Sequence, residues 1–295
     1  MISVLICSAN PEFLKNVQEN IRDSIGIPFE ILHFDNRIKN YGICKVYNDL
    51  AAKAKFTYLC FLHEDVIIKT ENWGKKIIEI FSEDTNIGLV GIAGSKYKSA
   101  YFSGWYSRVK ELDCANYFHQ YPTATEHVFL SPNDTKIAEE VVCIDGVMIC
   151  CKKEIWKEIL FDEELLKGFH FYDIDFSLRV SHQFKVMVTY DIDLIHITTG
   201  GDYSNNWVET AILFHEGKKN KLPFSKVNLN RGQIDKRVII TTMDHLKNYK
   251  ISFRNKKRWI VLQKLYLNPL FYYPILKFML YQPLGLKKIH LKSKK

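Results

Sequence analysis

The sequence predicts an α/β protein: a mainly parallel central sheet flanked by helices, followed by a mostly helical C-terminal extension that is basic and aromatic. Three observations predict it. Short apolar runs alternate with segments whose apolar residues recur at helical spacing, the residues that follow successive runs are polar, and the charge balance changes sign near Lys250. We take residues 1–220 as the α/β domain and 221–295 as the extension.

Ile2 to Cys7 is an apolar run of strand length, and after Ser8-Ala9-Asn10-Pro11 the residues Phe13, Leu14, Val17 and Ile21 share one helical face. The alternation continues with Phe29 to Phe34 as strand, Ile43 to Ala54 as helix, Tyr58 to Leu62 as strand, Trp73 to Phe81 as helix and Ile87 to Ala93 as strand. Strands and helices alternating at these lengths require crossover connections, hence a largely parallel sheet. Residues 95–140 lose the periodicity and carry Tyr97, Tyr101, Phe102, Trp105 and Tyr106, so an irregular, substrate-facing excursion is expected. Strands resume at Val141 to Ile144 and Val147 to Cys151. A helix from Lys152 to Leu160, another starting near Asp173, and strands Lys185 to Tyr190 and Leu194 to Ile197 complete the body.

A chain of 295 residues with 47% hydrophobic content buries a full core, which excludes disorder as a description of most of it. Its seven cysteines are odd in number, several lie inside apolar runs, and none forms a C-x-x-C pair. That argues for reduced thiols in the cytoplasm and against a zinc or thioredoxin-like site. Met1 to Ile6 lacks the basic start of a secretory leader, so the sequon Asn133-Asp134-Thr135 is not expected to be glycosylated. From Lys250 onward there are 12 Lys or Arg and no Asp or Glu, which leaves 29 basic against 33 acidic residues before it, a body of formal charge −4. With an acidic body and no recognised binding motif, nucleic acid is not an expected partner.

In open sheets of this kind ligands bind beyond the carboxyl ends of the strands. Those ends carry Ser8 and Asn10, then Asp35-Asn36-Arg37, then His63-Glu64-Asp65. A carboxylate fixed at a strand end, such as Asp65, suits Mg²⁺ or Mn²⁺, which in turn suits a diphosphate; the same three residues also read as a solvated loop start. A second acidic cluster, Asp173 and Asp175, lies at a loop-to-helix junction, where Asp is also ordinary helix capping.

The order Ser3 to Ser8, Asp35-Asn36, Val46 to Ala51 and Phe61 to Val66 resembles the GT-A fold glycosyltransferases of the large inverting family 2 type, over roughly residues 1–215. The resemblance implies a Rossmann-like domain that moves a sugar from a nucleoside-diphosphate donor to a saccharide or lipid-linked hydroxyl acceptor. It implies Asp65 as metal ligand, although His63 stands where the family's D-x-D has its first Asp. Ser8, Asp35 and Asn36 would line the nucleoside pocket with Asn48 facing the donor, and Glu64 is counted with this set. Tyr172-Asp173-Ile174-Asp175 with Arg179 resembles E-D-x-D-x-x-x-R, which makes Asp173 the general base and Asp175 its acceptor-side support, with Tyr172 in place of the Glu. His196 corresponds to a histidine that touches metal or diphosphate, and Gly200-Gly201 would let backbone approach the phosphates. Asp145-Gly146 resembles the acceptor-side D-G. Trp105 is a sugar-stacking candidate because a flat ring suits a pyranose face, though core packing explains a single Trp equally.

The extension is too interrupted by Asn268, Pro269, Pro274, Lys277 and Pro283 for a membrane-spanning helix. Two readings stay open: peripheral attachment to an anionic membrane surface, at the inner face of the plasma membrane, or packing on the body or on a second copy in a homodimer. Rival functions are a sugar-nucleotide pyrophosphorylase, which wants a glycine-rich basic loop where Ser8-Ala9-Asn10-Pro11 stands, and a non-catalytic nucleotide-sugar or carbohydrate binding protein.

Overall fold

The computed structural model describes residues 1–121, 124–132, 137–197 and 203–281. The expectations for the sequon at 133–135, for Gly200-Gly201 and for the chain beyond 281 lie outside the described residues.

β1 (Ile2–Ser8), α1 (Pro11–Ser24), β2 (Phe29–Asp35), α2 (Ile43–Lys53), β3 (Tyr58–Leu62), β4 (Val66–Ile68), α3 (Trp73–Glu83) and β5 (Ile87–Gly91) follow the expected alternation. Each has a local cause. Asn10 caps α1 by accepting from the amides of Glu12 (3.0 Å) and Phe13 (3.3 Å), Pro11 occupies the first turn, where it loses no hydrogen bond, and Val17 and Ile21 bury the inner face. In β1 and β3 alternate residues go to opposite faces: Leu5 and Phe61 join one core cluster, while Val4, Ile6, Cys60 and Leu62 join the other.

The chain continues through β6 (Ala93–Ser95), β7 (Tyr97–Lys98), β8 (Asp113–Tyr121), β9 (Ala124–Leu130), β10 (Ala138–Val141), β11 (Cys143–Ile144), β12 (Met148–Lys152), α4 (Lys153–Glu158) and α5 (Tyr172–Ser181). β13 (Lys185–Thr189), β14 (Leu194–Ile197), α6 (Asn205–Lys218), β15 (Phe224–Ser225), α7 (Arg231–Leu246) and α8 (Phe253–Leu262) come next. Two single 3-10 turns (Leu265–Leu267, Pro269–Phe271) and α9 (Tyr272–Leu280) close the described chain.

Among the described residues the central sheet has the order β10-β13-β5-β12-β3-β1-β2, with β2, β1 and β3 parallel to one another, β13 parallel to β5, and β12 antiparallel to both its neighbours. This is the mixed α/β architecture that the alternation predicts. A second sheet, β11-β6-β8-β14-β4 with β9 beside β8, stands against it. Two predicted strands divide between the sheets. Ile87 to Ala93 breaks at Ile92, whose carbonyl accepts from Asn116 (2.8 Å), and Val141 to Ile144 breaks at Val142, whose amide donates to Ser95 (2.9 Å). Both breaks are buried, so each freed group is taken up by the other sheet.

Residues 95–140 correct the expectation of an irregular excursion. Most of their described part is strand, dominated by the β8–β9 hairpin with Tyr117 opposite Val128 and Phe118 opposite His127. The alternation is masked because Cys, Ala, Asn and His occupy its positions, and such a face is held by cross-strand pairs that no single-strand pattern reveals.

The extension packs on the body. Trp259, Phe271 and Phe278 lie in the same core cluster as Trp207, Phe214 and Phe171, and the buried Lys256 donates to the Tyr281 carbonyl at 2.9 Å. No helix among the described residues is long and apolar enough to cross a membrane.

Candidate functional site

The site begins where the central sheet hands the chain to the second. β3 ends at Leu62, the His63 amide donates to Val147 (3.1 Å), and β4 starts at Val66 opposite His196 of β14. The Ile197 amide donates to the Asp65 carbonyl at 2.8 Å. That pairing places His196 Nε2 3.3 Å from Asp65 Oδ2, while His63 Nδ1 stands 3.8 Å from Asp65 Oδ1. One ligand atom from each of the three side chains lies within 4.8 Å of the others.

Burial alone raises the Asp65 carboxyl, but the His196 hydrogen bond and the two imidazoles outweigh it and hold the group below its ordinary range. Burial likewise lowers His196, and Asp65 reverses this to a net rise. For His63 burial prevails and its pKa is lowered, which favours the neutral ring. The ring is also held from behind, through Nε2. The Tyr172 hydroxyl stands 3.2 Å from Gly146 O and 2.9 Å from His63 Nε2; with its one proton given to Gly146, it accepts from a protonated His63 Nε2. Nδ1 then carries its lone pair toward Asp65. Two imidazole nitrogens, one of them oriented from behind, and a carboxylate form a donor set that fits a divalent ion. His63, the position where the family pattern fails, therefore belongs to the cluster. Tyr172, the other departure, is what orients it.

His63 also lines a cavity of about 240 Å³, together with Asp145, Gly146, Tyr172 and Asp173. α5 is aimed into it by Phe171, whose left-handed backbone (φ 67°) is held by packing against Trp207 and Phe214. Ser177 Oγ accepts from the Ile144 amide at 3.2 Å and donates to the Asp173 carbonyl at 2.6 Å, tying the start of α5 to β11. The Asp173 side chain accepts from the Ile174 amide at 2.9 Å. Burial, then the neighbouring Asp145 carboxylate, pushes its pKa up to about 7. Gly146 is required at its position because a Cβ there would stand 2.0 Å from the Tyr172 hydroxyl.

The opposite wall is aromatic and basic. Trp105, Tyr106, Tyr203 and Trp207 line it, and Arg108, stacked 4.9 Å from the Tyr106 ring, is the one Lys or Arg among the described lining residues. Thr242, His245 and Leu246 of α7 close it, so the extension contributes to the cavity. Sequence reasoning missed Arg108, Tyr203, Trp207 and His245. Only their residue types suggested anything, since each comes from a segment with no motif.

His63, Asp173, Asp145, Gly146 and Trp105 thus line one cavity, and Asp65 and His196 stand next to it, against His63. The other predicted contacts do not. Glu64 turns away, accepting from Ser8 Oγ (2.6 Å) and the amides of Ala9 (2.9 Å) and Asn10 (3.1 Å), so Glu64 and Ser8 satisfy each other. Asn36 is buried and closes its own loop onto the Tyr41 backbone, while Asp35 is exposed and bound by Arg37, whose hydrogen bond lowers the carboxyl to about 2. Asn48 accepts from Trp156 Nε1 and the Phe161 amide (both 3.1 Å) and donates to Phe161 O (2.9 Å), joining α2 to the segment after α4. Asp175, two residues from Asp173 on a helix, faces the other way and is ion-paired with Arg179 (2.7 Å) and Lys218 (2.6 Å). In these placements Asn48, Glu64 and Asp175 link elements of the fold and do not line the cavity.

A family model described as glycosyltransferase-like matches residues 3–221. Among solved structures the chain is similar to GalNAc-T7, crystallised with UDP, GalNAc and Mn²⁺, at 13% identity and a TM-score of 0.50, over 92% of this chain and 59% of that one. The likeness is one of fold, and the chain spans 59% of that protein's length. A197 from STIV is similar at 14% identity and a TM-score of 0.38, over 67% of this chain and 85% of the other. No curated protein matches it in sequence.

Proposed function

The chain belongs to the glycosyltransferase-like family and has the GT-A fold; from that premise we propose that it transfers a sugar, with inversion, from a nucleoside-diphosphate donor to a hydroxyl of a saccharide or lipid-linked oligosaccharide. The observation that carries the reading is that one aromatic-walled cavity is lined both by a buried carboxyl tuned to about 7 and by His63, which belongs to a three-residue donor set for a divalent cation.

In the proposed reaction the acceptor oxygen bonds to the anomeric carbon as the carbon–oxygen bond to the diphosphate breaks, and the acceptor proton passes to Asp173. A base whose pKa lies near the working pH is both ionised often enough and basic enough to do this. His63, Asp65 and His196 would hold the cation. Its chemistry is to neutralise charge on the departing diphosphate. Two imidazoles favour Mn²⁺ over Mg²⁺, which prefers an oxygen shell. Arg108 stands across the cavity as a further cation for the same anion, Asp145 stands beside the acceptor, and Trp105 offers a ring face for a sugar. Ser8 and Asp35, at the ends of neighbouring parallel strands, remain the nearest candidates for the nucleoside end.

The test is thermal melting with nucleoside diphosphates and sugar nucleotides, with and without Mn²⁺, followed by transfer assays on the donor that stabilises. Stabilisation by a donor that needs Mn²⁺, lost in Asp65→Ala, supports the reading. A donor that stabilises equally well without any divalent ion sinks the metal assignment, and binding without transfer to any hydroxyl acceptor leaves a binding protein.

A further inference from the structure

We propose that the outer face of the C-terminal extension is a docking surface for an anionic lipid bilayer. The inner side of this segment is committed to the core, through Trp259, Ile260, Leu265, Phe271 and Phe278. Its outer side is not. Leu267, Leu270, Tyr273, Leu276 and Leu280 are 65%, 61%, 70%, 55% and 71% exposed, and of the 21 exposed large apolar residues of the described chain 11 fall between 253 and 281. On α9 the exposed Tyr273, Leu276 and Leu280 lie at i, i+3 and i+7, one stripe opposite the buried Phe278. A stripe of this size on a monomer marks an interaction site rather than ordinary surface.

Charge decides what covers it. On α8 Arg254, Lys257, Arg258 and Val261 occupy one exposed helix face, again at i, i+3, i+4 and i+7, and Lys264 and Lys277 are exposed close by. No Asp or Glu occurs from residue 250 to the end, whereas the remainder of the chain is net acidic. Leucine and tyrosine beside a row of Lys and Arg, with Asp244 against Lys277 at its edge (3.6 Å), match the boundary between acyl chains and anionic headgroups: the apolar side chains enter the interface and the basic ones meet phosphates. A second copy of the chain is a poorer occupant. A two-fold interface sets a patch against itself, and would bring Arg254, Lys257, Arg258 and Lys264 face to face with their copies, more cations than the Asp244 carboxylate beside Lys277 can answer. Short helices joined by 3-10 turns suit a segment that lies on a surface rather than crosses one, and none of this depends on the reaction proposed above.

The experiment is flotation of the full chain with vesicles of neutral phosphatidylcholine and with vesicles containing about a third phosphatidylglycerol. We expect the protein to float with the anionic vesicles, to remain below with neutral ones, and to be released by high salt. Arg254→Gln/Lys257→Gln/Arg258→Gln should weaken the partition about tenfold or more. Leu267→Glu/Leu276→Glu/Leu280→Glu should abolish it with an unchanged melting temperature, because those side chains are already exposed. The proposal is overturned if the native chain stays below both vesicle types, or if it floats equally with both and ignores salt. It is also overturned if scattering shows a dimer that the leucine substitutions dissociate while flotation is absent.

Discussion

Asp173 illustrates how one residue draws its chemistry from its surroundings. Its carboxyl is buried beside Asp145, so the protonated form is favoured up to about pH 7. The transfer rate should therefore climb with pH through about 7 and level off above it, and Asp173→Asn should lower it by roughly 10²–10⁴-fold while the donor still raises the melting temperature. An Asn variant that transfers at the native rate refutes the base assignment. The same shift has a stability consequence. Because the folded pKa lies above that of the unfolded chain, the contribution of this group is complete below about pH 4 and lost as the pH rises through about 7. Denaturant titrations of native and Asn proteins should accordingly diverge across that window, with the Asn variant holding its stability better at the alkaline end. Tyr172→Phe removes the hydroxyl that holds His63 Nε2 while keeping the ring in its aromatic neighbours Tyr47 and Phe161. Mn²⁺ affinity, read by calorimetry, should fall about 10–100-fold with little change in folding; an unchanged affinity would show that His63 needs no such support.

At the scale of elements, the side chains that looked like ligands are those that lock elements together. Asn48 spends its amide on Trp156 and Phe161, and Glu64 spends its carboxylate on the loop after β1. Asn48→Ala leaves those partners unsatisfied and should cost about 1–3 kcal/mol in chemical denaturation, with donor affinity changing little. A large loss of donor affinity at unchanged stability would restore Asn48 to the donor site. The β8–β9 hairpin is the element least visible in advance. Its registration depends on Tyr117 and Phe118 meeting Val128 and His127 across the ladder, a relation between two segments that neither segment carries alone.

Across the whole molecule, the extension is both part of the core and part of the cavity wall. Trp259 packs against Trp207 and Phe102, and α7 brings Thr242, His245 and Leu246 to the cavity that Asp173 also lines. Trp259→Ala should therefore destabilise the protein by about 3–5 kcal/mol in one cooperative transition and depress transfer with it. Two separated transitions, with the site intact after the first, would show that the extension is an independent unit.

The sequence by itself determined the alternation of β1 to β5 with their helices, the acidic strand end at Asp65, the likeness of Asp173 and His196 to known motif positions, and the basic extension. These are local properties, written in apolar spacing and in the residues beside it. Tertiary structure alone decided which polar side chains are free to act. Asp173 and Asp175 differ only in which side of one helix they occupy, and Asn36, Asn48 and Glu64 are hydrogen-bonded to partners up to 113 residues away. It also set His63 beside Asp65 and His196 as a candidate metal-binding set. The hydrogen-bond partner of His63, the Tyr172 hydroxyl, lies 109 positions away, and a reading along the chain contains no term for that.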